Sequence, residues 1–487
     1  MLDPVLLIAL PLLTAFLVPL VRRAWRPLAE ALPLLTLLFD LGLAISYVPR
    51  ALEKPIVVVI AGWRPPLGIN LTIGPLGIFM AVMILFVAVL VAIYSIWYIK
   101  AEPKERYCML CLMLITGSLG MVLTGDLFNL FVFMEITSIS AYALTAFIRD
   151  RDGSEAAFKY LIIGSLASNF FLLGVVLIYS STGTLNMADL AAKMPSVDPR
   201  IAVPAVVLMV VGLGVESEMF PLNGWAPDAY SMAPTPIGAV FGAIVVKGAV
   251  YALARMLYTI FNFQGVIHFL VIMGIMTLLV GEMAALRQRQ IKRMLAFSSI
   301  GQMGLILVAF GLGTAGGLVA ALFHMLNHAL LKALLFLTAG YLVYHSGSKE
   351  IADMDGMGRR VPLLAVAFSI GAFGIMGLPP LNGFWSKFLV ISETVKAHYL
   401  AIAALALVGS VIEAVYYLRV VGRLFFKPAD DRVQAARLPI SGFVSLGLLV
   451  VAVVVIGLYP GWVMHVLQPA ARELLDKTFY IHSVLGP

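Results

Sequence analysis

Charged residues are scarce in this chain of 487 residues. Asp, Glu, Lys and Arg make up 12% of it, whereas hydrophobic residues make up 61%. A soluble protein carries about twice that charged fraction. The apolar residues recur in long runs with few polar stretches between them, so the composition excludes a series of soluble domains. The net charge of +7 lies mostly in short loops, which the positive-inside bias explains better than nucleic-acid binding does.

Cysteine is almost absent. Cys108 and Cys111 form a CxxC pair, a spacing that serves redox and metal sites in soluble proteins. Here the pair lies inside an apolar segment with no further thiols nearby, which favours a packing role. An iron–sulfur cluster usually needs four ligands. We therefore expect the chain to bind no cofactor and no metal, and expect any electron transfer to take place in other subunits.

Fourteen segments are long and apolar enough to span a bilayer, which takes about twenty residues each. The sequence therefore predicts an all-α polytopic membrane protein, with spans 1 to 14 numbered in chain order. They centre near residues 11, 38, 85, 115, 137, 168, 211, 246, 275, 302, 330, 375, 408 and 453. Span 1 lacks a small-residue cleavage site and is predicted to be retained. Residues 55–71 are predicted to form a β-hairpin, and about fifteen residues at the end a short surface helix.

Basic residues in the loops predict the orientation. Loops after odd-numbered spans hold 20 Lys and Arg residues, including Arg432 and Arg437, and loops after even-numbered spans hold 9. Because the basic side faces the cytoplasm, we expect the odd loops inside and both termini outside, in the plasma membrane.

The chain repeats itself. Residues 220–225, FPLNGW, are echoed by residues 380–385, PLNGFW, and the pattern around Tyr251 recurs around Tyr416. Lys159 and Lys332 are predicted to correspond in the same way. Five spans are then duplicated, and an odd number per copy inverts the second copy in the membrane, as in ion-coupled transporters with broken helices at the site. The predicted division is residues 1–100 with spans 1–3 and the hairpin, repeats at 101–262 and 263–428, and 429–487 with span 14 and the tail. Spans 7 and 12 are the broken ones.

Ten ionisable residues fall inside the predicted spans. Inserting one charged side chain at a helix centre costs about 2.5–3.5 kcal/mol on insertion scales. Ten such residues therefore call for a structural or functional reason. A carboxyl and a lysine in contact can act as a switch, since a proton on one changes the cost of charging the other; they can equally lock two helices as a static ion pair. The ten are Asp40, Glu135, Lys159, Glu216, Glu218, Lys247, Glu282, Lys332, Lys387 and Glu413.

Two histidines lie on one face with Lys332. His324 and His328 are four residues apart, a spacing that can bind zinc, but no Cys or carboxylate is adjacent. Hydrogen-bonded core histidines and a proton relay are the other interpretations, since imidazole titrates near neutral pH. Lys159, at the start of span 6, can extend to the interface.

Three acidic residues have separate interpretations. Asp40 has no evident partner and is interpreted as a protonated core carboxyl. Asp228, just after the span 7 break, is predicted to cap the second half-helix. Glu413, one turn before Tyr417, is interpreted either as a static core residue or as part of an exit path.

Several of these motifs resemble one family. Glu135 in Phe-Met-Glu, FPLNGWAPD at 220–228, Lys247, the His324-His328-Lys332 series and the segment ending at Lys387 occur in the order found in antiporter-like membrane subunits. This family includes the proton-pumping subunits of respiratory complex I, the D-type subunits of Mrp antiporters, and ion-translocating subunits of membrane-bound hydrogenase and sulfur reductase complexes, the last being the most similar.

The resemblance implies a fourteen-helix fold with two inverted repeats and assigns roles to particular residues. Glu135 would be the family's glutamate on span 5, Lys247 its bridging lysine and Lys387 its terminal lysine. His324, His328 and Lys332 would form the central hydrophilic axis. One position departs from the pattern, because Glu216 stands where the family places a lysine and Glu218 follows it. Three acids this close are not all ionised cheaply, so at least one is expected to hold a proton, or the group holds Na⁺.

The expected function is therefore ion translocation, of H⁺ or of Na⁺ and H⁺, by a subunit of a redox-driven complex of the hydrogenase, sulfur reductase or NADH dehydrogenase type. The alternatives are a component like the D-type subunit of an Mrp-type Na⁺/H⁺ antiporter, an independent transporter, and a scaffold with no flux of its own. The expected partners are the lipid bilayer and other membrane subunits, including antiporter-like and quinone-module-like ones, and no nucleic acid.

Overall fold

The computed structural model describes residues 2–100, 103–428 and 439–486. Arg432, Arg437 and the start of the predicted C-terminal segment lie outside them. The spans follow the apolar runs of the sequence. Spans 1–7 are Leu6–Ala24, Arg26–Glu53, Pro75–Tyr98, Lys104–Leu123, Leu127–Thr145, Arg151–Thr182 and Pro199–Glu216 with Ala226–Met232. Spans 8–14 are Thr235–Phe261, Gln264–Leu286, Ile291–Gly311, Ala315–Ser346, Pro362–Met376 with Asn382–Lys396, Leu400–Phe426 and Ile440–Leu458.

Thirteen helices in the described part of the chain are long and apolar enough to cross a membrane. The broken helix pair Pro362–Met376 and Asn382–Lys396 supplies the fourteenth crossing. The predicted all-α architecture of about fourteen spans, with spans 7 and 12 broken, is therefore confirmed, and this is a multi-pass membrane protein.

Spans 6 and 11 show the register of the two repeats. Both helices are 32 residues long, and they begin and end 164 residues apart. The residue before each helix, Asp150 or Thr314, accepts a hydrogen bond with its side chain from the backbone N–H three residues later. Each helix ends at a glycine in the left-handed conformation. Isolated antiparallel bridges, Asp126 with Asn186 and Gln290 with Glu350, are also offset by 164. Because the helix caps and the bridges match at the same offset of 164 residues, spans 4–8 and spans 9–13 are two copies of one repeat.

This register corrects one pairing predicted from the sequence. At an offset of 164, Lys332 corresponds to Ser168 and Lys159 corresponds to Phe323. The two lysines are therefore not counterparts. The predicted pairing rests on residue type and an approximate offset, and neither defines helix register.

The loops after even-numbered spans meet on one side. The predicted hairpin is confirmed by strands Ile56–Val59 and Asn70–Ile73, which pair antiparallel. Asn186, after span 6, donates its side-chain amide to Asn70 Oδ1 at 2.8 Å. The tail forms helices Gly461–Leu475 and Lys477–Leu485, and Glu473 accepts the Leu76 N–H at 2.8 Å. Leu2 accepts a hydrogen bond from Tyr47 of span 2, so the first and last described segments both lie on the hairpin side.

The CxxC pair lies on span 4. Cys108 and Cys111 line a mainly apolar cavity of about 350 Å³ between spans 2, 3 and 4, together with Leu34 and Leu37. Both thiols are free. Most of the cavity lining is apolar, and Glu30 and Lys104 also line it.

Candidate functional site

The break in span 7 is held together by protein groups. Trp225 donates its indole N–H to the Val215 carbonyl at 3.0 Å and stacks on Tyr160 with ring centroids 3.8 Å apart. The Phe220 N–H donates to the Thr277 hydroxyl of span 9 at 3.0 Å. Backbone groups freed inside a membrane survive only where protein or water satisfies them. These contacts meet that requirement and place Glu216 and Glu218 in the protein interior.

The break in span 12 follows the same principle with other residues. Gly377 ends the first half-helix at φ +84°, a left-handed conformation that glycine adopts without a steric penalty. Asn382 donates to the Asn327 side chain of span 11, and Asn327 donates back to the Asn382 carbonyl, both at 2.9 Å. This reciprocal pair fixes the start of the second half-helix, which carries Ser386 and Lys387 inward.

Lys387 forms an ion pair with Glu413 of span 13. Gln302 of span 10 donates one amide hydrogen to Glu413 at 3.0 Å and the other to Glu282 of span 9 at 3.1 Å. The Tyr416 hydroxyl donates to the other oxygen of Glu282 at 2.7 Å. Four spans thus contribute to one buried network of charged and polar groups, and Gln302 is its junction.

His324 connects this network to span 11. Its Nε2 lies 3.2 Å from the Gln302 carbonyl oxygen, and its Nδ1 lies 3.0 Å from the Ser386 hydroxyl. The ring of His328 lies one helical turn away and nearly parallel, with centroids 6.3 Å apart. Since Gln302 Oε1 can only accept, His324 Nε2 carries a hydrogen. No three His, Cys, Asp or Glu side chains within residues 2–100, 103–428 and 439–486 come together as a metal centre would require.

Lys332 occupies the middle of the molecule and is fully buried. Its ammonium donates to the Ser298 hydroxyl at 2.7 Å, the Leu295 carbonyl at 3.2 Å and the Tyr417 hydroxyl at 3.3 Å. All three protons of the ammonium therefore have neutral acceptors. Tyr417 lies one turn after Glu413 on span 13, so Lys332 is linked to the neighbourhood of the Lys387 ion pair.

Lys247 of span 8 is also fully buried. Residues Phe241–Val245 form a π-helical segment, and such widened turns leave carbonyls free from the regular helical hydrogen bonds. Lys247 donates to the Gly242 carbonyl within this segment and contacts His328 Nδ1. The Met303 sulfur lies 3.6 Å from the ammonium. Lys247 is therefore in direct contact with His328. His324, His328 and Lys332 follow one another at intervals of four residues on span 11.

Glu216 lies at the C-terminal end of the first half of span 7, 3% exposed. The Ser138 hydroxyl of span 5 donates to it at 3.4 Å. Its strongest charged neighbour is Glu135, also of span 5. Glu135 Oε1 is buried without a hydrogen-bond partner among the described residues. Two carboxyl groups therefore face each other, whereas the resemblance to antiporter-like subunits implies a carboxylate–lysine pair here. The C-terminal end of the first half-helix, which is the negative end of its dipole, lies beside them.

Two predicted residues lie elsewhere. Lys159 is about half exposed and pairs with Glu155 at 2.8 Å and Asp228 at 3.2 Å, near the surface. Asp228 also pairs with Arg293 at 2.6 Å. The prediction that Asp228 caps the half-helix is wrong, because its side chain makes no capping hydrogen bond and is occupied by these two cations.

Some residues of the network were not among the predicted site residues. Glu282 was recognised as a buried acid, but its partners Gln302 and Tyr416 were not. The available signal was Gln302 itself, an amide in the middle of a mostly apolar and almost completely buried helix. Buried amides are nearly always hydrogen-bonded, so such a residue indicates a polar partner on a neighbouring helix.

Comparisons with known proteins point to one family. Residues 124–413 match the family described as NADH:quinone oxidoreductase/Mrp antiporter, TM, and residues 66–108 match NADH-Ubiquinone oxidoreductase (complex I), chain 5 N-terminus. The chain is 37% identical to NADH-quinone oxidoreductase subunit N of Desulforudis audaxviator, over 94% of this chain and 95% of that protein. It is 32% identical to the D-type subunit of the Na(+)/H(+) antiporter of Alkalihalophilus pseudofirmus, over 88% of each.

Solved structures are similar throughout their length. A chain of the membrane-bound sulfane sulfur reductase, an archaeal respiratory membrane complex, is 40% identical, with a TM-score of 0.94 over 99% of both chains. A chain of the Mrp complex from Dietzia sp. is 27% identical, with a TM-score of 0.91 over 99% of both. The chain belongs to the family of NADH:quinone oxidoreductase and Mrp antiporter membrane subunits.

Proposed function

We propose that this chain is a proton-translocating subunit of a multisubunit, redox-driven membrane complex. The observation that carries the proposal is the buried row of ionisable side chains from span 5 to span 13. Hydrogen bonds join Lys247 to His328 and join Lys387 through Glu413 and Gln302 to His324. Buried charges are expensive in a membrane and are rarely kept without a role.

The row suits protons because its members interact electrostatically. Two unit charges about 8 Å apart at an effective dielectric constant near 20 interact by about 2 kcal/mol, which is more than tenfold in proton affinity. Loading one group therefore changes the proton affinity of the next. In this proposal, Glu135 and Glu216 share a proton at one end, Lys247, His328 and the other central residues pass charge along, and Lys387 with Glu413 forms the release end.

The ion pair at the release end acts as the switch. While Lys387 is paired with Glu413, both remain charged and the network through Gln302 is closed. A positive charge arriving at Lys332 repels the Lys387 ammonium and attracts the Glu413 carboxylate, so the pair opens and the ammonium releases one proton, leaving a neutral amine. Such a row pumps only if a partner biases an element with two states. That bias would come from the redox subunits, because the chain itself carries none of the recognised redox motifs.

The wider setting belongs to the same proposal. The relatives named above are parts of respiratory and antiporter assemblies, and we place this chain among antiporter-like and quinone-module-like subunits of such a complex. The excess of basic residues in odd loops supports an orientation with both termini outside the cytoplasm, and the membrane of this proposal is the plasma membrane. The repeats at 101–262 and 263–428 would each provide one half of the proton path.

An Mrp-type role is the second candidate. It is favoured by the likeness to the D-type antiporter protein and by the carboxyl pair of Glu135 and Glu216, which suits Na⁺ better than a carboxylate–lysine pair does. In that role, flux would depend on Na⁺ and would need no electron donor.

The test uses the parent complex purified from its host and reconstituted in proteoliposomes. Acidification of the lumen and electron transfer are measured together for wild type and for Lys387→Ala. We expect the variant to lose most of its acidification per electron. The matched control is Lys396→Ala, nine residues further along the same helix, since Lys396 is exposed and its one ion pair among the described residues is with Glu393.

The alternatives make different predictions in the same experiment. Normal acidification by an intact Lys387→Ala complex would overturn the proposal in favour of a scaffold. Na⁺-dependent acidification without an electron donor would favour the Mrp-type role. Flux through the isolated chain would favour an independent transporter.

A further inference from the structure

Glu218 is held in an unusual position in the span 7 break. Its backbone is left-handed, with φ +61°, a conformation that side chains with a Cβ rarely adopt. Its N–H donates to the Val215 carbonyl at 3.2 Å. The residue is fully buried, and neither carboxyl oxygen has a hydrogen-bond partner within the described part of the chain. The fold thus places an unpaired carboxyl group in the protein interior.

Two hydroxyl groups face this carboxyl. Tyr230 of the second half-helix of span 7 and Ser299 of span 10 are its nearest polar neighbours. Both are fully buried, and within residues 2–100, 103–428 and 439–486 neither hydroxyl has a hydrogen-bond partner. A Cβ built on Gly242 would lie 3.3 Å from the Tyr230 ring and 3.7 Å from Ser299 Oγ. Tyr230 and Ser299 thus meet beside Gly242, and Glu218 of the span 7 break is the third unpaired polar side chain of this site.

Lys247 and Lys332 flank the same site. A Cβ on Gly242 would lie 3.5 Å from Lys332 Cβ, and Lys247 donates to the Gly242 carbonyl. Glu218 interacts electrostatically with both ammonium groups. Among the described residues, neither lysine forms a direct ion pair, and Glu218 is the one carboxyl group that acts on Lys247. Lys387, in contrast, has Glu413.

We propose that Glu218 is the carboxyl group that passes protons between Lys247 and Lys332, within a polar site completed by Tyr230 and Ser299. This inference rests on the proposed function and adds a residue to it. In the first step, the Lys247 ammonium gives a proton to the Glu218 carboxylate, leaving a neutral amine and a neutral carboxylic acid. In the second, the carboxylic acid protonates the neutral Lys332 amine and becomes a carboxylate again. One proton has moved, and no other bond has changed.

The hydroxyls and the backbone suit this role. Tyr230 and Ser299 can donate to the carboxylate and accept from the carboxylic acid, so both protonation states of Glu218 are accommodated. The carboxyl group acts on one lysine of span 8 and one lysine of span 11. A bound cation is the competing occupant, and the two ammonium groups beside the site oppose it.

The experiment compares Glu218→Gln with Asp40→Asn in the reconstituted parent complex. Asp40 is likewise fully buried with both oxygens unpaired in the described chain, but it lies on span 2, outside the row. We expect Glu218→Gln to lower acidification per electron about tenfold or more, as loss of a proton-transferring group does, and Asp40→Asn to leave it unchanged. Glu218→Asp, which keeps a carboxyl group and tolerates the left-handed backbone, should restore part of the flux.

A second readout separates a structural role from a proton-transferring one. Difference infrared spectra during turnover should contain a carboxyl band that Glu218→Gln removes and Asp40→Asn keeps. Glu218→Asn, whose side chain tolerates the backbone conformation, serves if the Gln variant fails to assemble. Wild-type acidification by an intact Gln or Asn variant overturns the inference, as does a variant whose only change is in Na⁺ dependence. If Lys387→Ala also pumps normally, the proposed function itself has failed.

Discussion

Lys387 and Glu413, 26 residues apart in the chain, form an ion pair in which the lysine side chain is 7% exposed and the carboxylate is fully buried. The two residues come from the second half of a broken helix and from the helix that follows it. Their pairing explains how two charges persist at this depth, since each compensates the other and Gln302 satisfies the remaining carboxylate oxygen.

The Lys387–Glu413 ion pair should stabilise the folded protein. Removing one partner of a buried ion pair costs about 3–5 kcal/mol because the other charge is left uncompensated. Lys387→Met and Glu413→Gln should each lower the thermal unfolding midpoint of the detergent-solubilised protein. The double variant should be more stable than at least one of the single variants, as a double-mutant cycle would measure. Additive losses would show that the residues are not coupled.

Gln302 is the junction of the second half. Gln302→Leu should separate Glu282, Glu413 and His324, and it leaves two carboxyl groups without their amide donor. We expect a marked fall in acidification per electron with the complex still assembled. Leu307→Met, a volume-conserving change on the same span, is the control. Equal flux in the two variants would remove Gln302 from the proton path.

Trp225 stabilises the span 7 break through one hydrogen bond and one ring stack. Trp225→Phe keeps an aromatic ring on Tyr160 but loses the hydrogen bond, at a cost of about 1 kcal/mol. Trp225→Ala loses both and should cost about 3–5 kcal/mol. Denaturant titration in mixed micelles measures the difference. Equal losses would show that the stacked ring contributes little.

Glu473 of the tail provides a pH-dependent contact outside the spans. Burial raises the pKa of its carboxyl, opposed by the Leu76 N–H and Arg255. The docked tail therefore binds its proton more tightly than the free tail. This contribution is complete below the ordinary glutamate pKa of about 4.3 and is lost as pH rises through the raised pKa of the docked state.

We accordingly expect hydrogen exchange of Lys477–Leu485, corrected for intrinsic rates, to quicken as pH rises through that window. Glu473→Gln cannot titrate and should flatten the profile while keeping an acceptor for Leu76. A profile that keeps the same slope in Glu473→Gln would assign the pH dependence to another group.

Much of the fold was predictable because membrane spans are defined by length and apolarity. All fourteen spans, both breaks and the hairpin followed from the sequence. The placement of Lys247, Lys332 and Lys387 within spans 8, 11 and 12 followed too, since it depends only on position along the chain. What a residue faces depends on helix rotation and on neighbouring helices, which apolar runs do not specify.

The partners of the buried groups show this limit. Gln302 meets Glu413 across 111 residues and Glu282 across 20, and no local pattern connects them. Lys159 was mispaired with Lys332 because the true register lies in the helix caps, Asp150 and Thr314. Asp228 was interpreted as a cap from its position, although two cations on other helices occupy its carboxylate.

In the proposed path, charge moves along the buried row through Lys332, where the second half of the path begins. The most direct measurement is the ratio of protons translocated to electrons transferred by the reconstituted parent complex carrying Lys332→Met, with assembly verified by native gel. We expect electron transfer to continue and the ratio to fall by about tenfold or more. An unchanged ratio in a fully assembled complex would contradict the proposed path.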